Sequence, residues 1–159
     1  MMRPYRDTRF SKDKTPYKTN VGIHVRHEFG KDVHAPGFYL HIAVDDCFMG
    51  AGIWHPESDA LKKIRVAIDE EPTKWKRAKS GKKFTQHFEL AGDSLKRPPR
   101  DFDKEHPLID DLKRKDHIGL LVLKESDLLK STIVKDTIDK FKAAKPYMRF
   151  LCDALRIPF

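Results

Sequence analysis

The sequence predicts an α+β fold: a mainly antiparallel sheet of about four strands, helices packed on one face of it, and a long C-terminal helix kinked near Pro146. Three observations predict this fold. Apolar and polar residues alternate early in the chain, apolar residues recur at helical spacing late in it, and the regular strand-helix-strand rhythm of a parallel sheet is missing. We expect one domain, 1–159, because a chain of this length can bury its own core.

The first strand is predicted from alternation over residues 19–27. Val21 and Ile23 point to one face and His24 and Arg26 to the other, which is typical of a half-buried strand. A short loop separates this strand from the next apolar segment, so the two should be neighbours in the sheet.

Residues 37–54 predict a hairpin with a two-residue turn at Asp45-Asp46. In this register every pair on one face is apolar: Val44 with Cys47, Ile42 with Met49, Leu40 with Ala51, and Phe38 with Ile53. A slip by one residue would destroy this match. The hairpin is therefore predicted from its pairing as well as from its turn.

The opposite face of the hairpin contains two glycines, which would face side chains able to form hydrogen bonds. Gly50 would face His41, and Gly52 would face Tyr39. Glycine within a strand often marks the close approach of another backbone or a ligand. We therefore expect a shallow space on this polar face, bordered by His24, Arg26, Tyr39 and His41.

The rest of the chain is predicted to be mainly helical. Predicted helices run from near Pro56 to before Pro72, over 73–79, over 107–115 and over 131–155, with a kink or break at Pro146. Residues 118–123 form a continuous apolar run, which suits a central strand. Residues 82–107 are irregular, and we interpret them as ordered coil.

Charge, hydropathy and the N-terminal residues indicate where the protein is located and which classes of protein it does not belong to. The formal net charge is +8, and no apolar run approaches the ~18 residues that span a bilayer, so we expect no membrane association. The N-terminus has no apolar leader, which predicts a cytoplasmic protein. Cys47 and Cys152 are predicted to be buried free thiols. We expect no cofactor.

Residues 6–18 combine cations, carboxylates, hydroxyls and aromatic rings in a short stretch. Arg6, Arg9, Lys12 and Lys14, with Tyr17 as an additional donor, suit phosphate or carboxylate oxygens. The alternative is structural: neighbouring aspartates neutralise these cations and the loop stitches the sheet edge with Tyr17 buried.

The histidines offer a second kind of chemistry. His41 and Tyr39 are the candidate catalytic residues, because His41 would face a glycine and so leave room for a substrate. His24, His41 and His55 could converge with Asp45 or Asp46 on zinc, but no short ligand spacing is present, so we predict no metal site.

Several ordered motifs resemble the widespread family called domain of unknown function 2461. They are Arg6-Asp7-x-Arg9-Phe10-Ser11-Lys12-Asp13-Lys14-Thr15-Pro16-Tyr17-Lys18, Gly37-Phe38-Tyr39-Leu40-His41-Ile42, Gly50-Ala51-Gly52-Ile53-Trp54 with Pro56, Leu61-x-x-Ile64-Arg65, Leu95-Lys96-Arg97-Pro98-Pro99 and Asp103-Lys104-x-His106-Pro107. The resemblance covers nearly the whole chain. It implies no reaction, ligand or catalytic residue.

The resemblance also implies a departure at the N-terminus. Members of the family usually have a helical segment of several dozen residues ahead of the first motif, whereas five residues precede it here. The chain is thus expected to be either an N-terminal truncation or a member of a shorter branch. In the first case part of the core, or the cover of the polar face, would be missing, and exposed apolar surface or oligomerisation is expected.

Two functional hypotheses follow. The first is a binding or catalytic site for a phosphate- or carboxylate-bearing small molecule, built from residues 6–17 and the polar face of the sheet, with His24 and Arg26 among the ligand-binding residues. The alternative is a nucleic-acid or acidic-partner interaction module without catalysis, and a scaffold whose partner covers the polar face is a third interpretation. The residues leave open whether the protein is an enzyme.

Overall fold

The computed structural model describes residues 9, 12, 14–25 and 35–159. The strands are β1 (Asn20–Val25), β2 (Gly37–Ala43), β3 (Phe48–Ile53), β4 (Glu89–Ala91) and β5 (His117–Val122). The helices are α1 (Ser58–Glu70), α2 (Pro72–Ser80), α3 (Lys82–Thr85), α4 (Ile109–Leu112), α5 (Glu125–Leu128), α6 (Ile133–Ala143) and α7 (Lys145–Leu155).

The described strands form one antiparallel sheet in the order β1-β2-β3-β5-β4. The α+β class is confirmed, and so is the interior position of the strand predicted at 118–123. The sheet has five strands rather than about four. The additional strand, β4, spans three residues within the segment interpreted as coil and is too short to give a recognisable alternation.

The predicted register of the hairpin is wrong by two residues. Leu40 pairs with Met49 and His41 pairs with Phe48, so the last pair of the hairpin encloses six residues, 42–47, and the predicted pairing of Val44 with Cys47 is not formed. Asp45 has a φ of 59°, in the left-handed region that turns use. A shift by two keeps each side chain on its face, so the apolar pattern could not distinguish the two registers.

One face of the sheet is covered by helices and forms the core. Met49, Ala51 and Ile53 alternate along β3 and are at most 1% exposed. Helix α7 contacts β3, and α1 and α2 pack against α7. In α1, Ile64 and Ile68 lie about one turn apart and are both buried.

At Gly119 of β5, the absence of a side chain allows an aromatic cluster to pack against the strand. A Cβ at this position would lie 2.6 Å from Cζ of Phe84, so the ring packs directly on the strand backbone. The Phe84 ring stacks on Phe88 and on Tyr147, with ring centroids 5.5 and 4.8 Å away. These contacts anchor the segment that leads from α3 into β4.

The predicted C-terminal helix consists of two helices. The chain breaks at Ala144, between α6 and α7, and Pro146 lies in the first turn of α7, where proline costs no hydrogen bond. A break, rather than a kink, is therefore the outcome. The first predicted helix likewise begins at Ser58, with Pro56 ahead of it.

Both cysteines are buried free thiols, as predicted. None of the helices in the described ranges has the length and apolar character needed to cross a bilayer.

Candidate functional site

A groove of about 360 Å³ lies on the face of the sheet opposite the helices. Its lining comes from β1, β2, β3 and β5, together with Ala35 and Trp54, and includes no helical residue of the described part of the chain. The side walls are His24, Tyr39, Trp54, Ile118 and Leu120. The groove therefore offers mainly apolar and aromatic surface, which suits a flat ring.

Two glycines lie at the floor of the groove, and the backbone requires glycine at only one of these positions. Gly52 has a φ of 136°, and a Cβ there would lie 2.0 Å from the carbonyl oxygen of His117, so the backbone requires glycine. At Gly50 an added Cβ would meet, among the described residues, only Cβ of Tyr39 at 3.8 Å, an ordinary contact. The missing side chain at Gly50 keeps the groove open although the sheet does not require it.

A polar network lies beside the groove. The hydroxyl of Tyr39 is 3.1 Å from Nδ1 of His41, and the side-chain amide of Asn20 is 3.5 Å from the same nitrogen. On the other side of the ring, Nε2 of His41 is 3.7 Å from a carboxylate oxygen of Asp46. The His41 ring also stacks on Phe48, with centroids 4.7 Å apart. Packing and polar contacts together fix the imidazole.

In the tautomer of His41 that carries its proton on Nε2, Nδ1 accepts a hydrogen bond from the Tyr39 hydroxyl and Nε2 faces Asp46. Burial raises the pKa of Tyr39, so its phenol is neutral at physiological pH and can hold or relay a proton at the wall of the groove.

The structure brings three of the predicted site residues together. His24 and Tyr39 meet edge to face, with ring centroids 5.9 Å apart, and Tyr39 contacts His41. The expectation that His41 faces Gly50 is wrong: the shifted register places Phe48 opposite His41 and Gly50 opposite Tyr39. On the β1 side His41 pairs with Gly22. Tyr39, rather than His41, has the open space beside it.

The cations of residues 6–18 do not line the groove in the described part of the chain. Arg9, Lys12, Lys14 and Tyr17 are exposed. Tyr17 is 61% exposed, which contradicts the interpretation in which it is buried at the sheet edge. Arg6 and Arg26 lie outside the described residues.

The three histidines considered for zinc do not converge. His41 contacts Asp46, whereas His55 lies 3.2 Å from Asp116. No group of three or more His, Cys, Asp or Glu side chains in the described ranges could hold a metal ion.

Residue Trp54 extends the aromatic surface at the end of β3. Its side chain is 65% exposed and stacks on His55, with ring centroids 4.5 Å apart. Tyr39, Phe48 and Trp54 all line the groove, and no helix of the described residues contributes to its lining. Ile118 and Leu120 were missed, because a continuous apolar run does not show which residues face the groove.

The chain matches the family described as "Conserved hypothetical protein (DUF2461)" over residues 1–150. No match was found among curated proteins or among solved structures. The description of the matching family names no activity, so a function has to be inferred from the groove and its side chains.

Proposed function

The chain belongs to the family of conserved hypothetical proteins DUF2461, and from this premise we propose that its open sheet face binds a small molecule with a flat ring and a phosphate or carboxylate group. The ring occupies the groove over Gly50. The anionic group is held by Arg6, Arg9, Lys12 and Lys14.

The observation that carries the proposal is Gly50. Glycine within a strand weakens the sheet, so a strand position without backbone strain ordinarily carries a side chain. At Gly50 the space is left open beside Tyr39, between aromatic and aliphatic walls. Such a slot accepts a ring by apolar burial and stacking.

The polar network supplies orientation. Tyr39 lines the groove and contacts His41, so a polar substituent of the ligand can hydrogen-bond to the phenol at the groove wall. In a binding protein this contact sets the pose of the ligand. In an enzyme the same contact moves a proton between ligand and His41, with Asp46 stabilising the imidazolium.

Two facts support the role of residues 6–18 in holding the anion. The segment is rich in forked and point-like cationic donors. It enters the sheet at Asn20, whose side chain contacts His41, so it is tethered at the end of β1 nearest the polar network. Arg9, His24 and Arg26 are accordingly proposed as ligand-binding residues.

The first experiment is a thermal melt against nucleotides, sugar phosphates, dicarboxylates, divalent metals and a single-stranded oligonucleotide, at low and moderate salt. A ligand of the folded state raises the melting midpoint by mass action. Gly50→Val should fold normally and lose the shift, because its side chain fills the groove. Ala43→Val, which adds bulk to β2 outside the groove lining, should keep the shift. Equal shifts in both variants would place the ligand elsewhere.

Two further variants test separately whether Arg9 binds the anion and whether His41 is catalytic. Arg9→Ala should weaken the binding of a small anionic ligand by about tenfold or more, since a charge-assisted hydrogen bond contributes about 1.5–3 kcal/mol, whereas Arg97→Ala, at another exposed arginine, should not. His41→Ala should abolish turnover if the site is catalytic and weaken binding only slightly. An identified ligand unaffected by both Arg9→Ala and His41→Ala would contradict the site.

The exposed Trp54 favours a second candidate function. A half-exposed aromatic surface on a basic protein of net charge +8 suits stacking of unpaired bases. Under this alternative only the oligonucleotide shifts the midpoint, and the shift disappears as salt rises because several phosphates are contacted. A small-molecule shift that survives moderate salt excludes it.

A further inference from the structure

The helical layer carries a concentration of positive charge away from the groove. Residues 72–83, which span α2 and α3, contain six cations and no carboxylate: Lys74, Lys76, Arg77, Lys79, Lys82 and Lys83. Elsewhere on the surface, lysines are paired with nearby carboxylates. Lys113, Lys130 and Lys142 each pair with an aspartate three residues earlier on their own segment.

Two of these cations face two more across a cleft. The cleft lies between α2 and α7 and has a volume of about 460 Å³. Lys74 and Arg77 line it from α2, and Lys145 and Arg149 line it from α7. Between the cations its surface is largely apolar, formed by Ala78, Pro146 and Phe150.

The charges in the cleft are not balanced. Lys74 pairs with Glu71, and Asp153 lines the cleft, but Arg77, Lys145 and Arg149 form no ion pair with any described residue. Counting side chains, four cations at the cleft are opposed by Asp153 and by Glu71, the partner of Lys74, which leaves an excess of positive charge. The first turn of α7 is also at the cleft, and the dipole of this 11-residue helix adds to the positive potential.

Two of the unpaired cations are held in place. The ammonium group of Lys145 and the guanidinium of Arg149 lie 5.8 and 5.7 Å from the centroid of the Phe159 ring. Cation-π contacts restrict these long side chains without neutralising them. This reduces the conformational entropy that they lose when they bind an anion.

We propose that this cleft is a second binding site, specific for the phosphate group of a small phosphorylated molecule. A phosphate monoester carries close to two negative charges at neutral pH, which matches the excess charge of the cleft. Arg77 and Arg149 supply forked donors, and Lys74 and Lys145 supply point charges. The apolar floor receives the carbon skeleton attached to the phosphate.

The test uses inorganic phosphate and phenyl phosphate as probes, at constant ionic strength. Binding is followed by titration of backbone amide NMR signals, and those of 74–78, 145 and 147–150 should shift together. Arg77→Gln combined with Arg149→Gln should weaken phosphate binding at least tenfold and leave the melting midpoint nearly unchanged, since both residues are exposed. The matched control, Arg97→Gln with Arg100→Gln, removes the same charge outside the cleft and should bind as the original chain does.

Three outcomes would overturn the proposal: no shift with either probe at millimolar concentration, equal weakening in the control, or binding of a single-stranded oligonucleotide through Arg77 and Arg149 without binding of either probe. The last would make the cleft a polynucleotide surface. Gly50→Val fills the groove alone, so phosphate binding that survives this change separates the cleft from the ligand proposed for the sheet face.

Discussion

Gly52 is the residue at which the sheet least tolerates a side chain. Its φ of 136° and the 2.0 Å separation of an added Cβ from the His117 carbonyl oxygen both oppose substitution. We expect Gly52→Ala to lower the free energy of unfolding by at least about 2 kcal/mol, since strained backbone alone costs about 1–3 kcal/mol. Urea unfolding measures this change.

Gly50→Ala is the matched control for that substitution. It adds the same methyl group two residues earlier, where the nearest described atom, Cβ of Tyr39, would be 3.8 Å away. Its free energy of unfolding should stay within about 0.5 kcal/mol of the original. Similar losses in the two variants would mean that Gly50 is also required by the sheet.

His117 is a buried base with unpaired nitrogens. It is 0% exposed, and neither ring nitrogen has a partner among the described residues. Burial, with Arg114 and Arg65 nearby, lowers its pKa to about 3, against the opposing effects of Asp111 and Asp116. Below about pH 6.5 this histidine therefore binds a proton in the unfolded chain, whereas in the folded chain it stays neutral until the pH approaches 3.

The pH dependence of stability follows from this difference. Above about pH 6.5 His117 is neutral in both the folded and the unfolded chain, so it does not change the free energy of unfolding. As the pH falls from 6.5 toward 3, only the unfolded chain is protonated at His117, and the free energy of unfolding decreases with a slope approaching 1.4 kcal/mol per pH unit. His117→Leu should remove this slope. Urea unfolding of both chains at pH 7.0, 5.5 and 4.5 measures it, and parallel curves would refute the assignment to His117.

At the scale of elements, the carboxylate of Asp116 joins the end of β3 to the turn after β4. Its two oxygens accept hydrogen bonds from the backbone N–H groups of His55 and Asp93, each at 2.8 Å, and the carboxylate is almost fully buried. It thus also fixes the position of His55, on which Trp54 stacks at the edge of the groove.

Asp116→Ala should therefore destabilise the protein strongly. Two backbone donors lose their partner, and each unsatisfied buried group costs about 1–3 kcal/mol, so we expect the free energy of unfolding, measured in urea, to fall by about 2–6 kcal/mol. Asp110→Ala removes an exposed carboxylate 3.8 Å from Lys113 and should cost less than about 0.5 kcal/mol. A loss at Asp116 no larger than at Asp110 would show that these hydrogen bonds do not stabilise the junction.

The elements also show what a sequence can predict. Alternation along β2 and β3 assigned each side chain to its correct face, because a period of two fixes faces. It could not fix the register, because pairings two residues apart bury the same side chains. The one-turn helix α5 and the three-residue β4 are too short to leave a periodic signal in the sequence.

At the scale of the whole molecule, the two proposed sites lie on opposite layers. The groove uses the open face of the sheet, and the cationic cleft lies among helices on the covered side. The sequence predicted His24 and Tyr39 at the groove, because alternation along β1 and β2 places both on the polar face. It did not predict the cleft, because 72–83 and 145–150 are distant in sequence and only the packing of α2 on α7 brings their cations together.

The two tryptophans of the chain occupy contrasting environments. Trp54 is 65% exposed at the groove, and Trp75 is 0% exposed, packed against Tyr147 and Phe150. Fluorescence should therefore contain a red component that iodide quenches and a blue component that it does not reach. A ligand in the groove protects the red component, and unfolding abolishes the blue one. The fluorescence of Trp54 therefore reports whether a ligand occupies the groove, and the fluorescence of Trp75 reports whether the core is folded.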